Sequence, residues 1–233
     1  MSESKKVDQW CFIWDPTDDP AAGTSRAALV KKNKWDKGSI INVAFLDGDA
    51  SVQKRIKVVV KAWTAPDTVN LKFVFVNDPN KADVRVSFKF SGSWSVIGTS
   101  CRAVPKNQPS MNYGWLTPGS SDVELRRVVL HEFGHALGLI HEHQNPGSSI
   151  PWNKPNVYRD LGGPPNNWNK ATIDHNMFEA YAKSETNFTA VDPTSIMMYP
   201  IPASWVQDPK YAAGFNTDLS AQDKKFIHQQ YPK

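Results

Sequence analysis

The sequence predicts an α/β (α+β) domain, and three observations carry that prediction. Apolar and polar residues alternate in several stretches after Ser39, a helical repeat separates the first two of them, and capping signals open further helices near Ser121 and Ser220. Strand, helix, strand, strand, in that order, fits a layered sheet with one crossover.

The first strand is read from Ile41, Val43 and Phe45, closed by Asp47 and Gly48. Val52, Ile56, Val59, Val60 and Trp63 then fall at helical spacing, and Pro66 should stop that helix. Two strands follow, one carrying Leu71, Phe73 and Phe75, the other Val84, Val86, Phe88 and Phe90 alternating with polar residues. The Gly- and Ser-rich stretch Gly92 to Cys101 contains Trp94, Val96 and Ile97 and suits a short edge strand; Met111 to Leu116 suits another. Ser121 and Glu124 stand at capping-box spacing, so a helix should begin there, with Val128, Val129, Phe133, Ala136 and Leu137 as its buried stripe. From Gln144 to Asn169 the chain is rich in Asn, Pro and Gly and is expected to be mostly loop, followed by a helical patch around Ile173 to Ala182. Ser220 and Asp223 signal a last helix that sets Ile227 and Tyr231 on one face.

Composition bounds the function. At 233 residues the chain suits one domain, or one domain split into two lobes around a cleft. Hydrophobic residues at 40% and charged residues at 21% favour neither disorder nor a membrane class. No apolar run approaches the roughly 20 residues that span a bilayer, and Met1 to Trp10 is too polar for a signal peptide. A net charge of +4, spread over scattered lysines, gives no basic face for nucleic acid. Two cysteines, Cys11 and Cys101, allow at most one internal disulfide and exclude a disulfide scaffold.

Four of the six histidines lie between positions 131 and 143. On a helix, His131 and His135 are one turn apart and project to the same side, so two imidazoles can reach one metal ion. Gly138 can adopt a positive φ that ends the helix and swings His141 in as a third ligand. Three protein ligands leave a fourth zinc position open, the layout of catalytic sites; structural sites are closed. Glu132, beside the first ligand, is placed to take a proton from an attacking water and pass it to a leaving amine. Five such fixed positions in one eleven-residue window arise by chance on the order of once in ten thousand chains of this length.

A second signal is Ser195-Ile196-Met197-Met198-Tyr199, which alone reads as an apolar turn with a core methionine. Together with the histidine run it resembles the methionine turn of the metzincin metallopeptidases. Glu142 after the third histidine, and the Ser-Ile-Met-x-Tyr turn, are similar to the astacin family and its bacterial and fungal relatives. That resemblance, from about Ser39 to the carboxyl terminus, implies a twisted, mostly parallel sheet with an antiparallel edge strand, an active-site helix, and a smaller irregular C-terminal lobe ending in a helix. It also implies a zinc endopeptidase with one catalytic Zn2+ held by His131, His135 and His141. Met197 would be the hydrophobic floor beneath the zinc, and Tyr199 a residue able to ligate zinc at rest and to stabilise the oxyanion. Glu142 would contact the buried amino terminus of the mature enzyme. Val84 to Phe88 and Trp94 to Thr99 look like the strands above the cleft, where an extended protein or peptide substrate adds by main-chain pairing.

On this reading residues 1–38 are an N-terminal extension or pro-segment, in which Cys11, Asp15, Asp18 and Asp19 are candidate fourth zinc ligands. Residues 39–233 are the catalytic domain, with an upper lobe 39–141 and a lower lobe 142–233. The resemblance favours secretion although no signal is read, and neither a membrane nor a nucleic-acid partner is expected; a monomer is the working expectation. The sequence departs from animal astacins at His143 to Pro146, at Met198, and in having only two cysteines. His143, His175 and His228 are read as surface or hydrogen-bonded residues, because three ligands already complete a catalytic site. Two other functions stay open at this point: a zinc-binding recognition module without turnover, which should have lost Glu132, and a zinc amidohydrolase acting on cell-wall peptide.

Overall fold

The computed structural model describes residues 11–14, 29–64, 69–164, 166–180, 184 and 186–233, with backbone alone at 11–14, 29–31 and 186. In chain order the elements are β1 (Cys11–Trp14), β2 (Leu29–Val30), β3 (Ile40–Phe45), α1 (Ala50–Val59), α2 (Lys61–Thr64), β4 (Lys72–Phe75), β5 (Val84–Ser87), β6 (Ser93–Val96) and β7 (Met111–Tyr113). Then come α3 (Asp122–Ala136), α4 (Lys154–Gly162), α5 (Lys170–Ile173), a π-helix (Asp174–Phe178), β8 (Thr186–Asn187) and α6 (Ala221–Gln230).

Six strands form one sheet in the order β1-β6-β7-β5-β3-β4. β3 is parallel to β4 and β5, and β5 to β7, while β6 runs antiparallel to β7. The mostly parallel sheet with an antiparallel strand near its edge is therefore present. The outer side of β6 is taken by β1, in parallel, with Cys11 opposite Ser93 and Trp14 opposite Val96. β2 and β8 make a separate antiparallel pair.

One core joins the sheet to α1 and α3 through Ile41, Val43, Val52, Ile56, Val84, Val86, Leu125, Val128, Val129 and Phe133. Ile227 and Tyr231 bring the end of the chain back to this core. A second core gathers Val157, Leu161, Ile173, Met177, Tyr199 and Trp205. Among the described residues no helix is long and apolar enough to cross a membrane.

Four local readings are corrected. The helix read through to Trp63 is two, α1 and α2, broken at Val60; its stop at Pro66 lies outside the described residues. The break lets the Trp63 indole reach the Leu130 carbonyl at 2.9 Å. β5 does not alternate: all four residues are buried, as in a parallel strand covered on both faces. Its Arg85 is tolerated because the guanidinium donates to the carbonyls of Gln108, Ala82, Asp83, Cys101 and Val104. The stretch read as loop before Asn169 contains α4, which Pro155 opens and Val157 and Leu161 anchor one turn apart. The helical patch starts earlier, at Lys170, and becomes the π-helix from Asp174.

Candidate metal centre

α3 begins where expected, with the Ser121 hydroxyl accepting from the Glu124 backbone N–H at 3.1 Å. The Glu124 carboxylate accepts from Trp115 Nε1 at 2.9 Å and from the Arg127 guanidinium at 2.8 Å, tying the first turn to its surroundings. From Val128 to Ala136 every residue is buried, so this helix threads the core and its polar groups need partners inside the protein.

The helix ends in a Schellman motif. Gly138 has φ +97°, its N–H reaches the His135 carbonyl at 2.8 Å, and the Leu139 N–H reaches the Gly134 carbonyl at 2.9 Å. The remaining terminal carbonyls are satisfied from the two ends of the domain: Trp35 Nε1 donates to Ala136 at 2.8 Å and the Tyr231 hydroxyl to Leu137 at 2.9 Å. A positive φ that only glycine adopts without strain thus turns the chain back, and His141 follows three residues later.

His131, His135 and His141 are 5%, 0% and 1% exposed, and their potential ligand atoms all lie within 4.8 Å of one another. His131 Nδ1 is 2.8 Å from the Ile196 carbonyl, and His135 Nδ1 is 2.8 Å from the Leu139 carbonyl. A carbonyl only accepts, so each Nδ1 carries the proton and each Nε2 presents a bare lone pair. Those two Nε2 atoms are 3.2 Å apart. Both ring nitrogens of His141 are buried and have no hydrogen-bond partner among the described residues. Burial, and next to it the neighbouring His135, hold His131 and His141 well below the ordinary histidine pKa; burial also brings His135 down to about 4. Three neutral imidazoles with ligand atoms converging in a buried site are costly alone and well matched to a divalent cation of zinc's preference for nitrogen. The carbonyl partners on the far nitrogens are the usual way such ligands are oriented.

The other expected site residues surround this cluster. Glu132 is fully buried on α3, next to His131. Tyr199 is 2% exposed, its ring centroid 4.0 Å from that of His141 and 6.2 Å from that of His131. Met197 lies against Gly134, and its carbonyl accepts from the Glu142 N–H at 2.9 Å. Glu142 accepts from Asn145 Nδ2 at 3.1 Å and the Asp192 N–H at 3.0 Å, and burial pushes its carboxyl up to about 7. It lines a cleft with Asn187, Asp192 and Asp223. The side chains of Cys11, Asp15, Asp18 and Asp19 lie outside the described residues. Cys101 is a buried free thiol, pushed up to about 12 chiefly by burial.

Three features were not read from the sequence. Asp223, expected only as a cap, also accepts from Ser195 Oγ at 2.7 Å and the Ile196 N–H at 2.8 Å, so it fixes the turn whose Ile196 carbonyl orients His131. Gly134 leaves room for the Met197 thioether. His143 is hydrogen-bonded, as allowed for, but it is also 3% exposed and stacked on Tyr199. The Ser220–Asp223 capping box was the one legible signal among these.

Comparison with known proteins agrees with this geometry. Residues 28–231 match the model of the Astacin peptidase family. A solved structure titled "Structure of myroilysin" is similar at 40% identity and a TM-score of 0.84, covering 88% of this chain and 98% of that one. A second, "Crystal structure of myroilysin", is 34% identical with a TM-score of 0.70, covering 100% of this chain and 94% of that one. High choriolytic enzyme 1, a hatching enzyme zinc-protease from the medaka fish Oryzias latipes, shares the fold at 18% identity and a TM-score of 0.59, over 85% of this chain and 94% of that one. No curated protein matches the chain.

Proposed function

The chain belongs to the astacin family of zinc metalloendopeptidases, and we propose that His131, His135 and His141 hold its one catalytic zinc while Glu132 and Tyr199 act on the peptide bond. The observation that carries this reading is the pair of Nε2 atoms 3.2 Å apart, each deprotonated because its Nδ1 is committed to a carbonyl. Zinc, when bound, polarises a carbonyl and lowers the pKa of water.

The protein's own groups do the rest. Glu132, buried on the helix that carries two of the ligands, takes the proton of the attacking water at its carboxylate and returns it to the leaving amine. The Tyr199 hydroxyl donates to the oxygen that gains charge as the carbonyl is attacked. Met197 closes the floor of the site, and Glu142 is the group that meets the amino terminus of the mature enzyme. An extended protein or peptide substrate lies along β6, main chain to main chain. In the structure β1 takes that side of β6, which supports reading the N-terminal residues as a pro-segment that must leave before substrate enters. The family resemblance further supports a site of action outside the cell.

The test is casein hydrolysis by the parent protein with and without a zinc chelator, alongside His135→Ala and Glu132→Ala. We expect chelation and His135→Ala to remove both zinc and activity, and Glu132→Ala to remove activity while zinc stays at one equivalent. Full zinc occupancy in His135→Ala would overturn the ligand set, and near-parental turnover by Glu132→Ala would overturn its role.

A further inference from the structure

His143 follows the ligand region but is not one of the converging imidazoles. Its ring is stacked on Tyr199, with centroids 4.7 Å apart and planes at 26°, and lies nearly parallel to His141 at 5.5 Å and 20°. Trp152 presents its ring at 86° and 6.1 Å. The arrangement is held by one polar contact: His143 Nε2 is 2.9 Å from the Asn176 carbonyl. Because that carbonyl accepts, Nε2 carries the proton, and Nδ1 is left buried without a hydrogen-bond partner.

An unpartnered buried nitrogen is a cost that a purely space-filling residue would avoid. A flat ring anchored at one edge, by contrast, gives a neighbouring aromatic face a fixed plane to stack on. The anchor is itself unusual. Asn176 lies in the π-helix Asp174–Phe178, whose His175 carbonyl also accepts from Gln144 Nε2 at 2.8 Å, so two successive residues after the third ligand are tied to this one turn. Such turns are rare and recur at functional sites.

We propose that His143 is a positioning residue for Tyr199: its ring, anchored on the π-helix, is the platform that holds the phenol in the plane from which it reaches the reacting carbonyl. The inference rests on the reading of Tyr199 as oxyanion donor. A stacked platform lets the phenol slide within its plane and resists tilt, which suits a side chain that must follow developing charge over a short distance.

The experiment combines a double-mutant cycle with a measurement on zinc-free protein. His143→Leu fills the space without a ring face, and it should lower kcat by about 10- to 100-fold with KM nearly unchanged. In a Tyr199→Phe background the same change should cost nothing further, because the group being positioned is gone. His143→Phe should recover most of the lost kcat. In zinc-free protein, the Tyr199 ring resonance, one of six tyrosines and assigned by its absence in Tyr199→Phe, should lose the part of its ring-current shift that His143 supplies in His143→Leu and keep a ring-current contribution from that position in His143→Phe. Losses that add fully in the double variant, or a Tyr199 resonance unmoved by His143→Leu, overturn the proposal. If Tyr199→Phe alone leaves kcat unchanged, the oxyanion reading of Tyr199 fails, and the ring resonance decides the platform by itself. Should His143→Leu not fold, His143→Phe decides the matter by its kcat: a loss as large as that of Tyr199→Phe overturns the proposal and a near-parental kcat supports it.

Discussion

The Met197 sulfur occupies the space that a side chain on Gly134 would need: a Cβ built there would stand 2.4 Å from Met197 Sδ and 3.1 Å from the Trp63 ring. Gly134 sits in the turn between the two helical histidines, where glycine is otherwise a poor choice and costs about 1 kcal/mol relative to alanine. Its use is explained by close approach, since it lets the turn at Met197 pack directly on the helix that carries His131 and His135. Gly134→Ala should therefore not gain the helix propensity. Overpacking of about 1–3 kcal/mol outweighs it, giving a small net loss of stability and weaker zinc binding as Met197 is pushed aside. Melting temperature and zinc affinity measured together check this; a more stable variant with parental affinity would show that Met197 moves freely.

That contact also marks where sequence reading stops. His131, His135, the turn at Gly138 and His141 were legible because helical period and glycine geometry act over a few residues. The same holds for the α6 cap, where Ser220 and Asp223 bond reciprocally. The Asp223 contact with Ile196, 27 residues away, is long-range and leaves no local period. α4 was hidden because Asn, Pro and Gly around it read as loop, while the residues that stabilise it, Val157 and Leu161, act through packing in the second core. Arg85 fitted the alternation as an outward polar residue but is buried, because its charge is satisfied by carbonyls from a loop the pattern could not place.

Zinc-free protein should lose stability on acidification. His135 and His143, brought down to about 4 by burial, stay neutral in the fold at a pH where the unfolded chain, with values near 6.5, binds protons. His131 and His141 are shifted the same way. Stability then falls as pH drops from about 6.5 towards about 4, at roughly 1.4 kcal/mol per pH unit for each such group. Glu142 acts in the opposite sense, since its raised value, about 7, makes the fold bind the extra proton below that pH. Asp223, raised chiefly by burial, acts in the same sense as Glu142; four imidazoles outweigh two carboxyls, so the urea midpoint of chelator-treated protein should be lower at pH 5 than at pH 7. An equal or higher midpoint at pH 5 would mean the histidines are not held neutral.

Asp223 should matter to the metal although it lies outside the ligand set. It accepts from Ile196 N–H, and the Ile196 carbonyl accepts from His131 Nδ1 at 2.8 Å, so the carboxylate orients His131 through a single intervening residue. Asp223→Asn sets an amide donor against donors it must accept from; we expect a loss of about 1–3 kcal/mol in stability and about tenfold in zinc affinity. Ser220→Ala removes the cap hydroxyl alone and should cost about 1 kcal/mol with zinc affinity unchanged. If both variants bind zinc equally well, Asp223 is a helix cap and nothing more.

The last prediction concerns the N-terminal residues and where a cut should fall. β1 pairs with β6 over four residues; on the proposed binding mode an extended peptide adds on that same side, so the two would compete for the same backbone groups. Removing everything to residue 38 would also remove Trp35, which is 2% exposed and donates its indole N–H to the Ala136 carbonyl at the end of the ligand helix. Loss of that bond leaves a buried carbonyl unsatisfied, at a cost of about 1–3 kcal/mol, and would mask any gain in activity. A deletion of residues 1–28 keeps β2 and Trp35 and leaves a chain that starts at Leu29, one residue inside the family match. It should raise kcat/KM on an extended peptide several-fold, mainly through KM, while the melting temperature stays close to that of the full chain. The deletion of 1–38 should melt lower whatever its activity. Unchanged kcat/KM after removal of 1–28, with the protein folded and zinc bound, would show that β1 does not obstruct the substrate edge.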